Sequence, residues 1–518
     1  MNRTKRREFS TIVLVFLLIS MLALMIGTKS SESVQGEDAS AKGRSFGVSK
    51  KISEIGGIYP QVATDDTGGV YVAWQSLIWN ENAGSYIQHV YFAYSHDYGR
   101  TWSESIRVND DGNPWVCCDS PSIAVDQQTG HIYVAWKDNR TGNADVYVDK
   151  SVDRGLSFGS NVKVNDYFWA NEYTGNPYWV NVEVGDTGDL YVAWRAYVDP
   201  AHEGYDILFA SSNDGGQTFA PTIIVNPIDT NGTHTYPWIE ADKEGKVYVS
   251  YSKWMYGSYK VYVYNSRSLN GASSFETPVQ VNDNINLTGY RGKKEVVVSK
   301  DGKIHVVWTD GRSQGSWDYG YWDIYFATSM DGGLSFGHDV RVNDDLIPPS
   351  PGWGKTVQGT ASLAIDSYGH IHVVWEDFRN YGATPTYTRD IYYAFSEDGL
   401  TFYENVKINH LPDATWVNSA DPNMVIDSCD NLFVVWADSP YDEYDYHIYF
   451  AFSSAHEFLE TDLNQDGTVN ILDIAIVAQA FGCKEGDENW NETADLDENG
   501  EINILDVAAV AKDYGRTL

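Results

Sequence analysis

The sequence predicts a mainly β protein, a seven-bladed β-propeller of four-stranded blades followed by a small all-α module. Three observations carry this. An apolar strand ending in an aromatic recurs seven times at a period of about 60 residues, as YVAW ending at Trp74, Trp136 and Trp194, YVSY at Tyr251, HVVW at Trp308 and Trp375, and FVVW at Trp436. Each copy sits in the same order of strands and turns. The pattern ends near Phe458, and helical periodicity follows in DIAIVAQAFG and DVAAVAKDYG.

Within each repeat the order is constant. A first strand such as PSIAVD leads through a turn to the YVAW strand; a variable loop then leads to a third strand such as DIYFATS, and a second turn to a fourth such as VRVND. Four strands per unit and seven units describe a propeller over residues 45–458. The seventh unit stops after HIYFAFSSAHEF with no VKVND-like strand. Ahead of the first unit, SFGVSKKIS from Ser45 resembles SFGSNVKVN from Ser157, so the N-terminal segment is expected to supply the outer strand of blade seven and remove an open sheet edge.

The turn between third and fourth strands carries the pattern S-x-D-x-G-x-[ST]-[FW]. It occurs from Ser95, Ser151, Ser212 and Ser329, with shortened or altered copies from Ser396 and Ser268. Asp and Ser side chains can bond the backbone of their own turn, Gly supplies a positive φ, and the aromatic packs between strands. These repeats resemble the Asp-box propellers, the sialidases among them, over some 400 residues. The resemblance implies a structural role for the box, on the face opposite a substrate site.

After residue 458 two twelve-residue segments, DLNQDGTVNILD from Asp462 and DLDENGEINILD from Asp495, stand 33 residues apart. Each has the ligand pattern of a calcium loop. Hard oxygens fall at positions 1, 3 and 5 (Asp462, Asn464, Asp466; Asp495, Asp497, Asn499), with Gly467 and Gly500 at the sharp turn. Carbonyls of Thr468 and Glu501, then Asn470 and Asn503, then Asp473 and Asp506 complete the two sets. A helix follows each loop and none precedes it, so residues 459–518 resemble a type I dockerin. That resemblance implies two Ca2+ ions and a cohesin-type partner, with Ile471, Leu472, Ile504 and Leu505 as partner-binding candidates at loop positions 10 and 11.

Acidic residues outnumber basic ones 72 to 36, for a formal charge of -36, which argues against nucleic acid or an anionic membrane as partner. In residues 1–44, Lys5, Arg6 and Arg7 precede an apolar stretch from Ile12 to Ile26, the pattern of a signal peptide or, if uncleaved, a signal anchor. Either places the folded part outside the cell, secreted or at its surface. The four cysteines are too few for a disulfide scaffold, and the histidines form no zinc motif. The adjacent Cys117 and Cys118 read either as ordinary thiols or as a strained ring.

A second phrase, W-x-D-x-R, recurs after three of the aromatic strands and gives Asp138 and Arg140, Asp310 and Arg312, Asp377 and Arg379. These are the substrate-binding candidates, because planar guanidinium forks suit carboxylates or paired hydroxyls. A loop-stabilising Asp–Arg pair repeated by descent is the competing explanation. Where a sialidase carries an arginine in its F/Y-R-I-P motif, this chain has Gly57-Ile58-Tyr59-Pro60, so true sialidase chemistry is not implied and no catalytic residue is assigned. Three functions follow: a propeller binding or acting on polysaccharide and held by a cohesin-bearing assembly, a glycoside hydrolase of sialidase-like type, or a non-catalytic surface protein.

Overall fold

The computed structural model describes residues 44–514, apart from 45, 81–84, 111–117, 167–176, 199–203, 229–230, 258–259, 270, 284–293, 312–321, 346–357, 381–388, 410–417, 440–445, 455–460, 462, 464–468, 485–486, 488–489 and 497–498. The described residues fall into two compact units, 44–454 and 461–514. No helix among them is long and apolar enough to cross a membrane.

The larger unit is a seven-bladed propeller of antiparallel four-stranded sheets. The first strands, Gly57–Thr64, Cys118–Val125, Tyr178–Val184, Gly232–Ala241, Lys294–Val298, Gln358–Ile365 and Ala420–Ile426, meet their neighbours around the ring and form its inner wall. Each second strand carries the recurrent aromatic, and in five blades all seven of its residues are buried. Both faces of these strands press against adjacent blades, which is why they read as nearly unbroken apolar runs. The six tryptophans at the ends of the motif are essentially inaccessible, and truncating any one to alanine would cost ~3–5 kcal/mol.

The inner wall is also stitched by polar side chains. Asn423 of blade seven accepts from Val62 N at 2.8 Å, Ser122 from Val182 N at 3.1 Å, Asn181 from Ile239 N at 2.6 Å, Glu295 from Leu363 N at 2.9 Å, and Ser362 from Met424 N at 2.9 Å. Each bond joins one blade to the backbone of the next. Buried polar groups paired in this way fix the rotation of neighbouring sheets as well as meeting their own hydrogen-bonding needs.

The S-x-D-x-G-x-[ST]-[FW] turns are built by their own side chains. In blade five Ser329 Oγ donates to Asp331 at 2.8 Å and accepts from Gly333 N at 2.8 Å, while Asp331 accepts from Ser335 N at 2.9 Å and Ser335 Oγ at 2.6 Å. The Ser335 hydroxyl and the backbone amide hold the Asp331 carboxyl down at about 2. The closing aromatics reach the preceding blade: Phe158 packs on Phe92, Phe275 on Phe209, Phe402 on Phe326, and Trp102 on Phe450 across the ring closure.

Closure itself follows the expected pairing. Lys50–Lys51 lies antiparallel to His447–Ser453, with Lys50 opposite Phe450 and Lys51 opposite Tyr449. Bonds from Gly47 N to Phe452 O and from Ile52 N to Ile448 O extend the seam.

The smaller unit contains helices α1, Ile471–Ala480, and α2, Ile504–Asp513. Asn470 and Asn503 cap them and Asp473 and Asp506 complete reciprocal capping boxes. Val469, Val477, Ala480, Ile502, Val507 and Val510 form the shared core.

Candidate functional site

The first strands of six blades carry a β-bulge at one shared position. Register slips between Ile58 and Gln61, Asp119 and Ser122, Tyr178 and Asn181, Thr235 and Trp238, Gln358 and Ala361, and Ala420 and Asn423. In five of them the bulged residue is a non-glycine with left-handed backbone: Tyr59 (φ 53), Ser120 (φ 56), Trp179 (φ 55), Tyr236 (φ 55) and Asp421 (φ 52). Such a conformation costs ~1–2 kcal/mol per residue, and strain of this kind gathers where side chains must be aimed. In blade six the position is Gly359, where a Cβ would stand 2.3 Å from Glu376 Oε2.

All six bulges converge on one cavity of about 260 Å³ at the axis of the ring. Its axial position is fixed by a contact that skips a blade: Tyr59 of blade one meets the edge of Trp179 of blade three, with centroids 6.3 Å apart, and Trp179 in turn packs against Tyr236 of the adjacent blade four at 4.6 Å. Trp238 and Trp322 add further aromatic wall, and Gln61, Asn181, Thr309 and Thr360 add neutral polar groups. The indole Nε1 of Trp179 is buried without a protein acceptor, an orphaned donor in the wall of a cavity.

Two carboxylates complete the lining, Glu376 and Asp421. Glu376 is buried; its Oε1 accepts from Asp421 N at 2.7 Å and its Oε2 lies 3.6 Å from Arg389 Nη1. Arg389 is held by Asn418 at 2.6 Å and by the Tyr446 hydroxyl at 3.1 Å. Glu376 thus occupies a defined place, and three other blades use the same position alike. The residue after the second-strand aromatic reaches the next blade's bulge at Gln75, which accepts from Ser120 N at 3.4 Å, at Arg195, which donates to Thr235 at 2.9 Å, and at Thr309, which donates to Gly359 O at 2.6 Å.

Farther along the inner wall, Glu183, Glu240 and Glu295 come from three successive first strands. Burial pushes Glu183 up to about 8. Burial, then the neighbouring Glu183 and Glu295 charges, raise Glu240 as well. Glu295 is tied by Ser362 Oγ at 2.6 Å and by Asn423 Nδ2 at 3.2 Å, the latter spanning from blade five to blade seven.

The W-x-D-x-R residues lie elsewhere. Asp138 accepts the Trp136 indole at 3.1 Å, Arg140 N at 2.8 Å, and Arg140 Nε and Nη2 at 2.9 and 2.6 Å. Arg140 Nη1 also reaches Asp110 of the preceding blade at 2.8 Å, and its guanidinium covers the Tyr147 ring at 4.3 Å. Asp377 and Arg379 repeat the arrangement with Trp375, Asp344 and Tyr392. Asp310 accepts the Trp308 indole at 3.1 Å, and Arg312 lies outside the described residues. Neither Arg140 nor Arg379 lines the axial cavity. Cys118 is buried, with its Sγ donating to Asp138 at 3.4 Å, and Cys117 lies outside the described residues.

In the smaller unit Asp462, Asn464, Asp466, Gly467, Thr468 and Asp497 also lie outside the described residues. The remainder of the second loop is organised around its carboxylates. Asp495 accepts from Gly500 N at 2.9 Å, Gly500 takes φ 78, and Asp506 accepts from Leu496 N at 2.8 Å and Asn503 N at 2.7 Å. Among the described residues no three acidic, histidine or cysteine side chains are grouped to hold an ion. Ile471, Leu472, Ile504 and Leu505 are exposed at the starts of the two helices, between 45% and 59% accessible.

The larger unit therefore belongs to the class of seven-bladed propellers with an axial cavity. A polysaccharide lyase, a PL25 ulvan lyase, superposes with a TM-score of 0.51 at 14% identity, covering 77% of this chain and 94% of that one. A Hadza microbial sialidase aligns with a TM-score of 0.43 at 14% identity over 77% of this chain and 66% of its own. A protein of unknown function from Dyadobacter fermentans DSM 18053 aligns with a TM-score of 0.47 at 12% identity over 80% and 100%. At these identities the likeness is one of fold. Residues 460–513 are a dockerin type I domain. Comparison with curated proteins gave no match.

Proposed function

We propose that this is an extracellular protein whose propeller binds a glycan in the axial cavity while its dockerin domain attaches it, with calcium, to a cohesin-bearing assembly. The observation that carries the first half is the convergence of bulges from six blades, five of them strained, into one cavity. Aromatic ring faces in the wall suit the C–H faces of a sugar, whose polarised hydrogens meet the negative faces of aromatics. The neutral polar groups and the Trp179 N–H suit its hydroxyls. Glu376 and Asp421 give the cavity the pair of carboxylates that glycosidic bond cleavage uses, which favours hydrolysis as the second reading.

The donor set of the dockerin loops fits calcium: Asp495, Asn499, the Glu501 carbonyl and Asp506 are hard oxygens around a left-handed glycine. Bound calcium would neutralise carboxylates that otherwise repel one another. The chain's own residues contribute the caps and the apolar core that let the two helices pack once the loops close.

Affinity electrophoresis and calorimetry against soluble plant and algal polysaccharides test the glycan reading. Trp179→Ala and Tyr236→Ala in the folded protein are expected to weaken binding at least about tenfold each. Full affinity in both variants overturns the axial site. Glu376→Gln separates the two readings, since loss of sugar release with binding retained points to hydrolysis and an absence of any release in the parent protein excludes it for the glycans tried.

A further inference from the structure

We infer that a two-stranded hairpin on blade one is a second sugar-stacking site, so that the ligand is a neutral chain several sugars long, extending outward from the axial cavity. This rests on the glycan reading above. The hairpin pairs Ile78–Asn80 with Ser85–Ile87 and is an addition to the four-stranded blade, inserted between its second and third strands. Trp79 and Tyr86 stand opposite one another in its register, with ring centroids 5.1 Å apart and planes at 70°. They are 54% and 48% exposed. An edge-to-face pair so exposed presents ring surface to water at no benefit to the core, while each ring fixes the orientation of the other.

The place of the hairpin ties it to the cavity. Leu77 N bonds Gly56 O at 3.1 Å, three residues before the cavity-lining Tyr59. On the other side of its base Cys118 N bonds Gln88 O at 3.1 Å, two residues before the cavity-lining Ser120. The hairpin therefore rises from the rim between the bulges of blades one and two. A chain whose terminal sugar sits in the cavity against Tyr59 and Trp179 has this aromatic pair beside its exit.

The ligand's charge follows from the lining. The only ionisable acids or bases among the described cavity residues, tyrosines aside, are Glu376 and Asp421. With a formal charge of -36 on the whole chain, an anionic polymer meets repulsion at long range and no lysine or arginine among the described walls. A neutral polyhydroxylated chain meets neither penalty.

The test uses the full chain with calcium present and two probe series, neutral cello-, xylo- and arabino-oligosaccharides of one to six units and oligogalacturonides of the same lengths. In the parent protein, affinity for a neutral series is expected to rise with length. The Trp79→Ala/Tyr86→Ala variant is expected to lose about tenfold for the longer chains and less than about twofold for the monosaccharide. Trp79→Ser alone, a milder change at an exposed site, is expected to fall in between. Unchanged long-chain affinity in either folded variant overturns the hairpin site while leaving the cavity intact, provided Trp179→Ala still weakens binding. Tighter binding of oligogalacturonides overturns the neutral assignment, and failure of every probe to bind overturns both the hairpin and the axial reading.

Discussion

Replacing Arg379 with alanine separates a blade clamp from a ligand site. Its guanidinium holds Asp377 through Nε at 2.9 Å and Nη2 at 2.8 Å, Asp344 through Nη1 at 2.8 Å, and Asn405 through Nη2 at 3.0 Å. Asp377 is wholly inaccessible, whereas Asp344 is 39% exposed. Breaking a buried ion pair from one side costs ~3–5 kcal/mol, and an exposed pair under ~1 kcal/mol. Asp377 keeps the Trp375 indole and the backbone N–H of residue 379, at 2.9 and 2.7 Å, so the expected loss is ~2–4 kcal/mol. Unfolding entropy of roughly 2 cal/mol/K per residue, over a unit of about 400 residues, gives ~0.8 kcal/mol/K. Scanning calorimetry should then show Tm lowered by about 2–5 °C, with a smaller drop for Arg379→Lys, which keeps the charge without the fork. Glycan affinity is expected to stay at the parent value. A Tm within about 1 °C of the parent, paired with lost affinity in the folded variant, would refute the clamp and place Arg379 in the binding site.

The raised Glu183 makes part of the stability pH-dependent. Its carboxyl stays protonated in the fold up to about 8 but ionises near 4.5 when unfolded, so unfolding between those values releases a proton and stability falls as pH rises through this window. Glu183→Gln should flatten the fall in Tm between pH 5 and pH 8 relative to the parent, and an unaltered slope would show that the group is already ionised in the fold. In an isolated fragment from residue 458, EGTA should abolish the helical circular dichroism of α1 and α2, as should Asp473→Ala with Asp506→Ala; helix content that survives chelation contradicts calcium-dependent folding. Deleting residues 45–53 should speed amide exchange at Ile448–Phe452 while leaving blades three to five protected, and equal protection with and without the segment contradicts the seam.

Much of the ring was legible because its signals are local and repeated. The second-strand aromatics, the turn sequences and the unpaired end of the seventh unit each have a one-dimensional pattern, and even the closing strand could be matched to the outer strand of another blade. The axial cavity was not, since its residues differ in type from blade to blade: Tyr59, Ser120, Trp179, Tyr236 and Asp421 share a left-handed backbone rather than a side chain, and Gly359 shares only their place at the bulge. One signal was available. Proline follows the bulged residue at Pro60, Pro121, Pro237 and Pro422, and a proline recurring inside a central strand marks a bulge. The W-x-D-x-R phrase stood out instead because it is invariant in type, which suits the clamp made the same way by Arg140 and Arg379 in blades two and six.

The seam of blade seven has a mechanical consequence. Gly47 and Phe452 face each other where the N-terminal strand enters the ring and the last strand leaves it, so the two chain ends depart from the same end of one antiparallel pair. A pull between the leading segment and the tether beyond Ser453 loads the hydrogen bonds from Gly47 N to Ile52 N one after another, as a zipper opens, instead of all at once in shear. Blades one to six lie outside that line of force. Under tension the ring should part at its seam first, and when slack returns the same few bonds can reseal it, with the six remaining sheets still folded as the template.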